Sequence, residues 1–148
     1  MLLFLTIVPW FIWWKVVDRK RMDQILLFGL AVSIFTIILD DIGTGLLWWG
    51  YPVKLQPLYL ILAPADITLV PIYLMIIYQF FNDSSQRFVT AIVVGGALAA
   101  FIFEYFFIWL DYYHRYTWKA LYSWGFYILA SLLGRFIVTI VRKRSQEV

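Results

Sequence analysis

Five long apolar runs, separated by short clusters of charge, constrain this chain more than any other feature. A helix rises ~1.5 Å per residue, so about 20 largely apolar residues cross the ~30 Å hydrocarbon core of a bilayer. The runs at 2–17, 25–46, 58–80, 88–110 and 120–141 predict an all-α polytopic membrane protein, a single transmembrane domain of five transmembrane helices. Composition agrees. With 64% hydrophobic residues, a mean hydropathy of +0.82 and only 12 Lys+Arg and 9 Asp+Glu, a 148-residue chain lacks the polar surface that water requires. The first run is the shortest, and Pro9 removes a backbone donor from its middle. It has neither the basic n-region nor the small-residue cleavage site of a secretory signal, and so reads as a first helix. Trp13, Trp14 and Lys15 read as its interfacial anchor.

Basic residues assign the orientation. Lys15, Arg19, Lys20, Arg21, Arg87, Arg142, Lys143 and Arg144 fall on one side of five alternating helices, and Lys54, Arg115 and Lys119 on the other. The positive-inside rule then predicts an outer N-terminus and a cytoplasmic C-terminus. The net charge of +3 resides at the ends of apolar runs rather than on a continuous basic face, which excludes nucleic acid as a partner. No cysteine and one histidine, His114, exclude thiol chemistry and a histidine-rich metal site, and no cofactor is implied. His114 reads as a solvated interfacial residue. Trp48, Trp49 and Tyr51 flank one outer connection, and Tyr112, Tyr113, Tyr116 and Trp118 the other, where amphipathic rings favour the headgroup level. Asn82-Asp83-Ser84 reads as a helix-breaking turn, although it fits a glycosylation acceptor.

Ionisable groups inside spans cost at least about 2.5 kcal/mol each and demand a reason. Asp66 falls about 12 Å into the third run, Glu104 about 9 Å from the outer end of the fourth, and Asp40 and Asp41 near the outer end of the second, judged by helical rise. All four carboxyl groups belong to the outer half. Polar or small residues accompany them at helical spacing: Gly29, Ser33, Thr36 or Ile37, Asp40 and Thr44; Tyr59, Asp66 and Tyr73; Gly96 and Ala97, Ala100 and Glu104; Ser123, Tyr127, Ser131 and Arg135. Facing one another, these stripes line an interior chamber whose outer part is acidic. Helix packing alone explains small and hydroxyl-bearing stripes, but it explains the carboxyl groups poorly. Arg135 lies deeper, toward the cytoplasmic side, where its stem reaches inward to lipid phosphates or its head pairs with Asp66. Pro64 and Pro71 flank Asp66, and each frees a backbone carbonyl that a neighbour, hydroxyl or water must satisfy.

A shift of 63 residues aligns Leu55–Tyr59 with Trp118–Tyr122 and Asp41 with Glu104. Spans two and three then correspond to spans four and five, a parallel two-helix repeat about an axis along the membrane normal.

The stretches Trp13-Trp-Lys15, Leu39-Asp-Asp-Ile-Gly-Thr44, Pro64-Ala-Asp-Ile-Thr-Leu-Val-Pro-Ile-Tyr73 and Phe103-Glu104 resemble a family of small multispanning membrane proteins from spore-forming Gram-positive bacteria. That resemblance implies a location and no activity. Asp40 or Asp41, then Trp48-Trp49 with Tyr51, then Pro64-Ala65-Asp66 are similar in order to bacterial lycopene-cyclase domains, except that Ile67 stands where those carry a second acid. Three functions follow as expectations. The first is a chamber that binds or transports a cation, proton or small amphiphile through Asp40, Asp41, Tyr59, Asp66, Tyr73, Glu104, Tyr127 and Arg135. The second is a structural or accessory subunit of a homo- or hetero-oligomer. The third is an intramembrane isoprenoid or lipid enzyme using an acidic residue as general acid. Membrane lipids are the expected partners in each.

Overall fold

The structure is a computed structural model that describes residues 2–52 and 64–146. It is all-α. Helix α1 covers Leu2–Val16, α2 Met22–Gly45, α3 Val70–Phe81, α4 Ser85–Leu98, α5 Glu104–Trp109 and α6 Ala120–Gln146. A 3-10 turn at Arg19–Arg21 leads into α2, and a wide π turn at Pro64–Leu69 leads into α3. A second π turn, Ala99–Phe103, joins α4 to α5 without a break. Five helical rods result. The stretches Arg19–Gly45, Ser85–Trp109 and Ala120–Gln146 are long and apolar enough to cross a membrane; Leu3–Val16 and Ala65–Phe81 are shorter apolar helices among the described residues. The last rod outruns the predicted 120–141, because Lys143 and Arg144 in its final turn oppose the negative end of the helix dipole.

Local chemistry sets the ends. Asp18 accepts from Lys20 N at 3.1 Å and starts the 3-10 turn; Ser84 accepts from Arg87 N at 3.2 Å and caps α4, so the Asn82-Asp83-Ser84 segment is a capped turn. At their other ends α2 and α5 close alike. Leu47 and Asp111 take left-handed φ values of 57° and 61°, and in each the two flanking amides bond back into the helix: Trp48 N to Gly43 O at 2.8 Å, Tyr112 N to Phe107 O at 3.0 Å. The two connections then pair as a short antiparallel ladder of β1 (Trp49–Gly50) and β2 (His114–Arg115).

The four later rods form a ring in which α2 packs on α3 and α6, and α4 packs on the same two. Helix α1 lies outside, against α3 and the turn before it. Toward the basic clusters the ring closes on an aromatic core. There Phe28 stacks on Tyr78 with centroids 4.4 Å apart, and Phe88 meets both edge-on. Glycines allow this proximity: a Cβ on Gly134 would press on Phe28, one on Gly29 would strike Met75, and Gly95 and Gly96 clear Ile77 and Trp124. Trp13 belongs to this core, 2% exposed and edge-on to Trp10. Its anchor reading is therefore corrected, because the indole faces the bundle while Trp14 faces outward.

Candidate functional site

The opposite, aromatic half is hollow. A cavity of about 400 Å³ lies inside the ring, walled by α2, the two π turns, α5, α6 and the paired connections. Each π turn sets an aliphatic or aromatic residue on the wall, Leu69 from the first and Phe103 from the second. A widened turn needs a substitute for its lost backbone bond. Pro71 has no N–H, and the carbonyl of Asp66, five residues earlier, accepts from the Thr36 hydroxyl at 3.2 Å. That is the neighbouring donor the Pro-flanked sequence requires. Across the ring, the Tyr73 hydroxyl donates to Gly95 O at 2.9 Å, just before the second π turn.

Two carboxyl groups reach the cavity. Asp40, 3% exposed, receives Trp49 Nε1 on Oδ1 at 2.7 Å, and the Tyr51 hydroxyl donates to the same oxygen. Glu104 receives the Tyr127 hydroxyl on Oε1 at 2.9 Å and the Ser123 hydroxyl on Oε2 at 3.1 Å. Trp118 Nε1 donates to Ser123 Oγ at 2.8 Å, so a relay runs indole to hydroxyl to carboxyl. The Arg115 guanidinium stands 3.8 Å from Glu104 Oε2 and lies over the Tyr105 ring at 4.4 Å. Around these poles the wall is apolar: Leu5, Leu39, Leu74, Phe103, Phe107 and Phe126 among others.

The phenols of the connections are held neutral. Burial pushes Tyr51 well above its ordinary value, and the charges of Asp40 and Asp66 push the same way. Burial also raises Tyr113, with Glu104 adding to the effect and Arg115 opposing it. Both phenols therefore keep their protons at any physiological pH, and Tyr51 donates its own to Asp40.

Of the residues singled out from sequence, Asp40, Glu104, Tyr73 and Tyr127 meet on this one cavity. Asp66 is buried, 6% exposed, and sits behind the wall, close enough for its charge to act on Tyr51. Asp41 is exposed, one residue round the helix from Asp40 and on its outer face. Arg135 sits in the other half, over the Phe88 ring at 4.9 Å, so it does not share the cavity. Tyr59 lies outside the described residues. His114 is half-exposed and pairs with Asp111 at 2.6 Å. The aromatic belt needs correction at two positions: Trp49 and Tyr113 are buried, because the β1–β2 ladder folds the connections down as a roof. Arg115 was the residue sequence reasoning missed. It lies 11 positions and a helix end away from Glu104, where no periodicity links the two.

Among the described residues no group of three or more His, Cys, Asp or Glu is placed to hold a metal ion. Comparison with protein families, with curated proteins and with solved structures finds no match to this chain.

Proposed function

We propose that this chain is a five-span membrane protein whose aromatic half faces outward and binds a small amphiphile, its apolar body in the cavity and a hydrogen-bond-donating head at Asp40 and Glu104. The observation that carries this is the combination of an apolar wall with two acceptor poles in one cavity. Its volume lies toward the lower end of the about 300–1,000 Å³ typical of small-molecule sites, which are mostly apolar with a few placed polar groups. A hydroxyl or amine head suits carboxyl acceptors, whereas a carboxylate or phosphate head meets repulsion from Asp40 and Glu104, offset among the described residues by Arg115. A bare cation is a poorer guest, because the wall around the two carboxyl poles is apolar and offers it few oxygen ligands.

A two-helix duplication, read from the 63-residue shift, favours a site on the axis of the ring. Helices α2 and α5 end in the same left-handed closure, and the connections that follow pair antiparallel with each other, as two copies related by a two-fold would. Basic residues crowd the end away from the roof, which is the cytoplasmic end by the positive-inside rule.

Titration of the full chain in nanodiscs with decylamine and with decanoate, read by tryptophan fluorescence, tests the reading. Trp49 and Trp118 line the cavity and report occupancy. Decylamine is expected to give a saturable change at least about tenfold tighter than decanoate, a preference reduced in Glu104→Gln, in line with about 1.4 kcal/mol for one charge-assisted bond. Equal responses to both, or no saturable response, would overturn it.

A further inference from the structure

A second hollow, of about 230 Å³, opens in the basic half between the end of α3 and α6. Tyr78 and Asn82, four residues apart, line it from α3; Arg135, Thr139 and Arg142 line it from α6 at spacings of four and three, with Lys143 beside them. Among the described residues, no carboxylate lies within ion-pair distance of Arg135, Arg142 or Lys143. Of the acids in this half, Asp18 pairs with Arg21 at 2.9 Å and Asp83 with Arg87, and Asp23 is exposed at the start of α2 and does not line the hollow. Arg135 sits two turns, or about 10 Å, inward of Arg142 by helical rise. Its guanidinium is held over the Phe88 ring at 4.9 Å, so it faces the hollow from a fixed position rather than extending freely to water. Three cations line the hollow and no carboxylate is among its described lining residues, so, with one cation at membrane depth, the site calls for a counter-charge. Asn82 adds a buried Oδ1 that has no hydrogen-bond partner and calls for a donor.

We infer that this hollow binds a phosphate group, the phosphodiester of an anionic phospholipid headgroup being the source its position favours. The three cations receive the phosphate oxygens. Basic pockets between helices at a membrane face bind anionic headgroups on the same physical ground. The site is separate from the aromatic cavity and does not depend on what fills that cavity.

Native mass spectrometry of the full chain, with phosphatidylglycerol and phosphatidylcholine added in parallel and with inorganic phosphate as competitor, tests the inference. Phosphatidylglycerol is expected to be retained at least about tenfold more tightly than phosphatidylcholine. Arg135→Gln is expected to abolish most of that preference. Arg142→Gln and Lys143→Gln, at exposed positions where folding is not at stake, are expected to cost about fivefold each. Millimolar phosphate that displaces the lipid in wild type but has no effect in Arg142→Gln would also support a phosphate site and assign it to a soluble phosphate. Equal retention of the two lipids, or unchanged preference in all three variants, would overturn it.

Discussion

Asp40 and Glu104 are buried by different means, and the difference sets what each variant does. Asp40 draws its donors from the connection that follows its own helix, Trp49 and Tyr51, whereas Glu104 draws on α6 through Ser123 and Tyr127. Tyr51→Phe removes one donor from a buried carboxyl group and is expected to lower stability by about 1.5–3 kcal/mol, measured by thermal unfolding in detergent. The same phenol carries a pH signature. Its value in the folded chain is raised above the ordinary 10.0, so its contribution is intact below pH 10 and is lost as pH climbs through the folded value, because only the unfolded chain ionises there. Unfolding midpoints collected from about pH 9 to about pH 12 should fall less steeply for Tyr51→Phe than for wild type. Leu47 offers the opposite change. It holds a left-handed φ of 57° while 69% exposed, so Leu47→Gly relieves backbone strain with little packing lost. A gain of about 1 kcal/mol in the same unfolding measurement is expected.

At the scale of elements, helix contact depends on a few polar locks as well as on small residues. Gln79 is the clearest. Buried near the basic end of α3, it accepts from Asp18 N at 3.0 Å, donates to Val16 O at 3.1 Å, and through its own carbonyl accepts from Arg21 at 2.9 Å. One residue thereby ties the turn between α1 and α2 to α3. Gln79→Leu keeps the volume but strands a donor and an acceptor, each costing about 1–3 kcal/mol when buried. Faster hydrogen exchange confined to residues 16–21 is the expected result; exchange unchanged there would show that the lock is dispensable. The two π turns act on the other half. Each widens its helix on the cavity wall; the Thr36 hydroxyl bridges the first, while Tyr73 bonds α4 one turn before the second. The small-and-polar stripe of α2 thus serves both purposes weighed for it. Gly29 and Gly43 give close approach to Met75 and Trp49, and Thr36 and Asp40 supply polar groups toward the cavity.

For the whole molecule, the division of labour is between a packed basic half and a hollow aromatic half. Since the chain has no cysteine, single replacements report its orientation without a background. Lys119→Cys is expected to react with a membrane-impermeant maleimide in intact cells, and Ser84→Cys or Lys20→Cys only after permeabilisation; the reverse pattern would invert the topology. The sequence by itself determined the all-α class and the presence of helices long and apolar enough to cross a membrane, because apolar run length is a local quantity. It also marked Asp40, Tyr73, Glu104 and Tyr127, since helical spacing shows which residues share a face. Only tertiary structure decided which faces meet. Asp41 turns outward and Arg135 serves the other end, because a stripe fixes direction around its own axis and says nothing of the rotation of its neighbours. The roof belongs to the same class: Trp49 and Tyr113 look like interfacial residues in sequence, and become walls only when two connections 65 residues apart pair across the ring, a contact that no local pattern encodes.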